Sequence, residues 1–173
     1  YFNENSELKL RFPNATHHVS RKQWEWGHAP TDKDKGSYIR EHLDLLASSG
    51  RLALHESGWE LMPGFKTFEV DGHTRGQQLC RIEAGERTWV YGGDLFALAD
   101  HLRPAWVMAY DIEPLETLAA KQAVLREQLS AGEWLILGHD TRIVAGQIDA
   151  QGKRPQLSDM LTRTGSVQPL ETA

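Results

Sequence analysis

The chain has 173 residues, 40% of them hydrophobic and 25% charged, with a net charge of −5 from 19 basic and 24 acidic side chains. Those values describe one globular domain or a large piece of one, with no electrostatic footprint for nucleic acid. A single cysteine, Cys80, excludes a disulfide framework and a cysteine-based zinc site. No apolar run approaches transmembrane length and no signal peptide is visible. The chain opens at Tyr1, as if in the middle of something, and a cytoplasmic setting is the expectation.

In chain order, residues 8–12 alternate with period two and read as a half-buried strand, Pro13-Asn14 as a turn, and residues 16–19 as the returning strand. Ser20 with Gln23 forms a capping box for a helix that carries Trp24 and Trp26 and stops before Pro30. Residues 31–36 read as a solvated connector. Ser37 then caps a second helix, with Ile39, Leu43 and Leu46 on one face and Gly50 at its end. Residues 52–55 and 59–61 flank a Glu-Ser-Gly turn and predict a hairpin.

After Pro63-Gly64 a strand runs to His73, and strands at 78–83 and 88–91 pair across Ala84-Gly85-Glu86. Cys80 lies inside one of these alternating runs, where a quiet strand residue is expected rather than a nucleophile. A short helix is predicted over 96–102. Residues 104–110 are aromatic-rich. The longest helix is expected from Pro114 to about Ser130, with Leu118, Val124, Leu125 and Leu129 on its apolar face and Asp111 as its cap. A buried strand over 134–137 and one more over 143–148 complete the periodic part. The polar stretch 151–173 is expected to be a partly ordered tail.

His73, Asp94 and His139 stand out from this background. Each directly follows an apolar strand and glycine: Val70-Asp71-Gly72-His73, Tyr91-Gly92-Gly93-Asp94 and Leu137-Gly138-His139. Glycine lets the backbone turn sharply at the end of a rigid strand, and imidazole and carboxylate are ligand types suited to zinc and similar divalent metals.

In this order and setting, Gly72-His73-Thr74-Arg75-Gly76, Gly92-Gly93-Asp94 and Gly138-His139-Asp140 resemble the last three metal-ligand motifs of metallo-β-lactamase-fold hydrolases. Phe12-Pro13-Asn14-Ala15, the Trp24-Glu25 helix and residues 104–111 look most like the lactonase and organophosphate-hydrolase branch. The resemblance covers roughly residues 1–148. It implies an α/β fold, the four-layer αββα sandwich, with residues 1–150 as its C-terminal portion and 151–173 as a polar tail. It also implies a metal-dependent hydrolase that uses a metal-bridging hydroxide on a lactone, ester or phosphotriester. The cofactor would be zinc, two per complete domain, or other divalent metals. His73 would then be a terminal ligand of one metal, His139 of the other, and Asp94 the catalytic residue that bridges both.

The sequence departs from the family pattern in one large respect. The family's first motif, two histidines followed by an aspartate and a histidine, has no counterpart here, and family order would place it before Tyr1. His17-His18 cannot replace it, because adjacent strand residues point to opposite faces. On this reading the site is incomplete in the chain, and the partner is a missing N-terminal half or a second copy. An inert half-domain awaiting its complement is the alternative. A glyoxalase-type thioesterase is a further one, although basic residues for an anionic thioester are not evident. Neither nucleic acid nor a membrane is expected as a partner. Gln77-Gln78 stands where the family often has a non-ligand histidine, and Arg75 where it often has proline.

The remaining candidates have plainer readings. His17, His18, His28, His42 and His55 read as surface or packing residues. His101, Trp106 and Tyr110 could line a substrate cleft, although for His101 an exposed helix end is the expectation. Asp140 is either a support for His139 or an exposed loop carboxylate.

Overall fold

The computed structural model describes residues 2–4, 7–149, 155–164 and 167–169. The chain divides into two compact units, Tyr1–Ser57 and Gly58–Ala173.

In the first unit, β1 (Phe2–Glu4) and β2 (Glu7–Lys9) form a short antiparallel pair. Strand β2 stops well before Phe12, which is exposed, so the strand expected over 8–12 is both shifted and shortened. Strand β3 (His17–Ser20) does not return along it. It pairs in parallel with β4 (Leu52–His55), in the register His17↔Leu52 to Ser20↔His55. Parallel pairing needs a long crossover, and helices α1 (Arg21–His28) and α2 (Arg40–Ser48) provide it. The hairpin predicted between 52–55 and 59–61 is therefore not formed.

Ser20 caps α1 as expected, accepting from the Gln23 amide at 3.3 Å. The Gln23 side chain also donates its Nε2 to the Tyr38 hydroxyl. Ile39, rather than Ser37, precedes the first turn of α2. Asp34 is buried instead of solvated, because it accepts from the Trp26 indole N–H and from the Thr31 amide and hydroxyl. His18 and His55 pack as a pair, Nδ1 to Nε2 at 2.7 Å.

The second unit is built on an eight-stranded sheet in the order β12-β11-β10-β9-β8-β7-β6-β5. Its strands are β5 (Glu60–Met62), β6 (Phe65–Val70), β7 (Gln77–Ala84), β8 (Arg87–Tyr91), β9 (Trp134–Ile136), β10 (Ile143–Asp149), β11 (Gln156–Thr162) and β12 (Val167–Pro169). Pro63-Gly64 is the turn that folds β5 back onto β6, with Met62 opposite Phe65. The stretch read as a polar tail supplies β11 and β12. In β11, Leu157 and Met160 join the core while Gln156 and Asp159 face solvent, and a register shift against β10 between them breaks the period of two that would mark a strand in the sequence.

One face of the sheet carries the core. Val70, Leu79, Val90, Leu135 and Ile148 pack with Ala120 of α3 (Pro114–Ala123), with Val124 and Leu125 of the wider π-type turn that ends it, Val124–Gln128, and with Leu129 just after that turn. The helix predicted over 96–102 is a single 3-10 turn, Ala99–Leu102. Among the described residues no helix is long and apolar enough to cross a membrane.

Strand direction decides where the loops go. β7 is antiparallel to both β6 and β8, so β6 and β8 run the same way, and β9 is parallel to β8. The C-terminal ends of β6, β8 and β9 therefore share one edge of the sheet. The first turn of α3 presses against the same edge: Gly72 has φ 119°, and a Cβ there would collide with the Thr117 backbone. Gly72→Ala is expected to lower the unfolding free energy by about 2–4 kcal/mol in a urea titration. A loss under about 0.5 kcal/mol would mean that α3 moves aside freely.

Candidate active site

The edge where β6, β8 and β9 end brings together three side chains. His73 Nε2 lies 3.4 Å from Asp94 Oδ2, and His139 Nε2 lies 2.9 Å from Asp94 Oδ1. Asp94 thus offers one carboxylate oxygen to each of two imidazoles. Gly93, at φ 52°, lets the chain turn out of β8, and a Cβ there would meet the Gln77 side chain.

The His73 corner is held by the segment before α3. Ile112 and Glu113 donate their amides to the carbonyls of His73 (3.2 Å) and Gly72 (2.8 Å). Arg75 grips the Glu113 carboxylate with a two-pronged guanidinium contact at 2.6 and 3.1 Å. Asp111, expected as a helix cap, is instead 1% exposed, and its Oδ1 lies 2.9 Å from His73 Nδ1. The residue at the cap position is Glu113. Asp111 Oδ2 accepts from the Met108 amide at 3.2 Å. A buried carboxylate on Nδ1 fixes the proton there and leaves the Nε2 lone pair available to a metal ion.

The His139 corner is held by Asp140. Its carboxylate accepts from the amides of Arg142 and Ile143 at 2.9 Å each and from Ala99 at 3.2 Å. The His139 amide donates to the Ala97 carbonyl at 3.0 Å. The stretch just after Asp94 is thereby tied to the loop that carries His139. Arg163 on the far side donates to the Asp140 carbonyl. Asp140 is buried rather than an exposed loop carboxylate. Burial opposes its ionisation, but the three amides and the Arg142 charge outweigh that and hold the carboxyl below its ordinary pKa.

Tyr110 sets its ring edge toward His73, with centroids 5.9 Å apart at 77°, and is 63% exposed. Trp106, 48% exposed, stacks under the Arg103 guanidinium at 4.5 Å. His101 is buried in the 3-10 turn instead of ending an exposed helix, and its Nδ1 has no partner among the described residues. Burial and then the nearby Lys121 charge lower its pKa, against the pull of Asp111 and Asp100.

The residues that could hold metal ions are His73, Asp94 and His139. A two-oxygen carboxylate set between two imidazoles is a donor arrangement suited to a pair of zinc-like ions. It would give each ion two donors from this chain, whereas zinc sites use three or four. Among the described residues no group of three or more histidine, cysteine or acidic side chains converges to hold an ion.

No protein-family model matches the chain, and no curated protein does. Solved structures do. A probable metal-dependent hydrolase from Staphylococcus aureus is 26% identical, with a TM-score of 0.70 over 94% of this chain and 55% of its own. The chain has the metallo-β-lactamase fold. AidC, a dizinc quorum-quenching lactonase, is similar at 18% identity and TM-score 0.69 over 95% of this chain and 58% of its own. AbOPH, a hydrolase in the β-lactamase superfamily, follows at 18% and 0.61 over 94% and 57%. The chain thus spans somewhat over half the length of these metallo-β-lactamase-fold proteins.

Asp140→Asn is expected to cost about 1–3 kcal/mol of stability at pH 7, through lost charge-assisted hydrogen bonds. The folded carboxyl releases its proton more readily than the unfolded one. Its contribution is therefore present above the unfolded pKa and lost as pH falls through the folded value. The gap between wild type and variant in urea titrations should close below about pH 4, and a gap constant down to about pH 2 would contradict the assignment.

Proposed function

We propose that this chain carries the later half of the active site of a metal-dependent hydrolase acting on lactones, esters or phosphotriesters. The observation that carries the proposal is the placement of Asp94 between the Nε2 atoms of His73 and His139, one oxygen to each. In this reading Asp94 and the two histidines would hold two divalent ions, with one carboxylate oxygen and one imidazole for each. When bound, such a pair supplies Lewis acidity and lowers the pKa of a shared water toward neutrality.

The chain's own residues do the remaining work. Asp111 keeps the His73 proton on Nδ1, which leaves the Nε2 lone pair for an ion held beside Asp94. Asp140 fixes the separation of the Asp94 and His139 loops, which sets the span of the bridge. Tyr110, beside His73, and Trp106, four residues before it, offer exposed aromatic rings for an apolar substituent of the substrate. AidC, a lactonase of the same fold, is solved with an N-hexanoyl-L-homoserine product, which fits a lactone with an acyl arm among the substrates considered.

A second reading follows from the ligand count. Two donors per ion fall short of what zinc sites use, so this segment alone would be inert and would gain activity with the ligands of a complementary segment or a second copy.

Purified full-length protein loaded with zinc, cobalt or manganese is expected to hydrolyse at least one of an acyl lactone, an aryl ester and a phosphotriester. Asp94→Asn should lower kcat/KM by about 100-fold or more, as expected for removal of a charge from a metal-assisted reaction. Inactivity of the loaded protein on all three classes, together with no effect of Asp94→Asn on its metal content, would refute the reading.

A further inference from the structure

Lys121 lies on α3 and is 1% exposed. It shares a buried face with Thr117 and Val124, four residues before and three after it, a spacing that would suit leucine or methionine. It forms no ion pair among the described residues, and its one hydrogen bond there runs from Nζ to the Trp106 carbonyl. Burying an ammonium without a paired carboxylate is unfavourable. Burial lowers its pKa to about 8, with the nearby Asp111 charge pulling the other way. Packing alone does not account for a cation here; what it holds does.

Lys121 holds the middle of a tight bend. The Trp106 amide donates to Arg103 O at 2.9 Å, and the Asp111 amide to Met108 O at 3.0 Å. The Asp111 carboxylate takes the Met108 amide and His73 at once. Trp106 and Tyr110 stand out from this bend, the latter against His73. The bend is thus tied at one end by Asp111 and at its centre by Lys121.

We propose that Lys121 is a positioning residue for substrate selection: by holding the Trp106 carbonyl it fixes the bend from which the Trp106 and Tyr110 rings stand out, Tyr110 against His73. The proposal rests on the hydrolase reading, but its structural core can be tested without it. Lys121→Met keeps the length and removes the donor. Limited chymotrypsin digestion of the full-length protein, mapped by mass spectrometry, should show cleavage after Trp106 and Tyr110 accelerated at least about fivefold, with other sites unchanged.

The melting temperature of Lys121→Met at pH 7 should not fall, since the variant removes a buried charge. Lys121→Arg, which keeps a donor, should restore slow cleavage. With an acyl lactone or aryl ester, Lys121→Met should raise KM by about fivefold while kcat changes by less than about twofold. Unchanged cleavage at Trp106 and Tyr110 overturns the proposal. So does acceleration at all sites with a lowered melting temperature, which would make Lys121 a general stabiliser. If wild type hydrolyses no substrate class, the hydrolase reading fails and the cleavage pattern still decides whether Lys121 holds the bend.

Discussion

The direction of three strands governs the Gly58–Ala173 unit. Because β7 runs against both its neighbours, β6 and β8 point the same way, and the parallel pairing of β9 with β8 adds a third strand to that direction. Parallel neighbours cannot be joined by a hairpin. The chain between β8 and β9 therefore makes a long excursion, through the 3-10 turn, the aromatic bend and α3, before it returns. That excursion supplies the groups that hold the corners: Ala97 and Ala99 for His139, Asp111 and Glu113 for His73. A single topological constraint thus brings three distant residues together and provides their supports.

The supports are buried charges, and their purpose is geometric. Asp111 and Lys121 are each nearly fully buried, and Asp140 nearly so. Buried ionic groups are weak contributors to net stability and are often matched or exceeded by apolar residues of similar volume. Each of these three instead satisfies particular atoms: a histidine Nδ1, loop amides, a carbonyl. Removing any one would leave a donor or acceptor unmet in a low-dielectric setting, and the loop it ties would be the part that moves. The arrangement places rigidity around His73, Asp94 and His139 while leaving the rings of Trp106 and Tyr110 open to solvent.

Much of this was legible in the sequence where the signal is local. The three glycine corners follow clean apolar strands, so His73, Asp94 and His139 announce themselves, and the β6–β7–β8 meander follows from period-two alternation and a Gly85 turn. Non-local choices were not legible. β4 pairs with β3 across two helices rather than with its nearest following strand, and nothing within 52–61 marks that preference. Asp111 sits three residues before Pro114, where a carboxylate suits a helix cap, and only the fold shows it turned to His73 instead. Lys121 carried a signal that could have been used: a lysine spaced with Thr117 and Val124 on one helical face must either snorkel out or find a partner inside. β11 was hidden because a register shift against β10 sets its core positions, Leu157 and Met160, three residues apart instead of two.

The central claim is that Asp94 bridges two ions, each with one histidine from this chain. Metal content per chain, measured by plasma mass spectrometry on full-length wild type, His73→Ala, His139→Ala and Asp94→Ala after dialysis against metal-free buffer, tests it most directly. The account predicts close to two ions in wild type, about one in each histidine variant and fewer than one in Asp94→Ala, as expected when one ligand in a shared site is removed. Equal metal content in all four proteins, at any level, would contradict it.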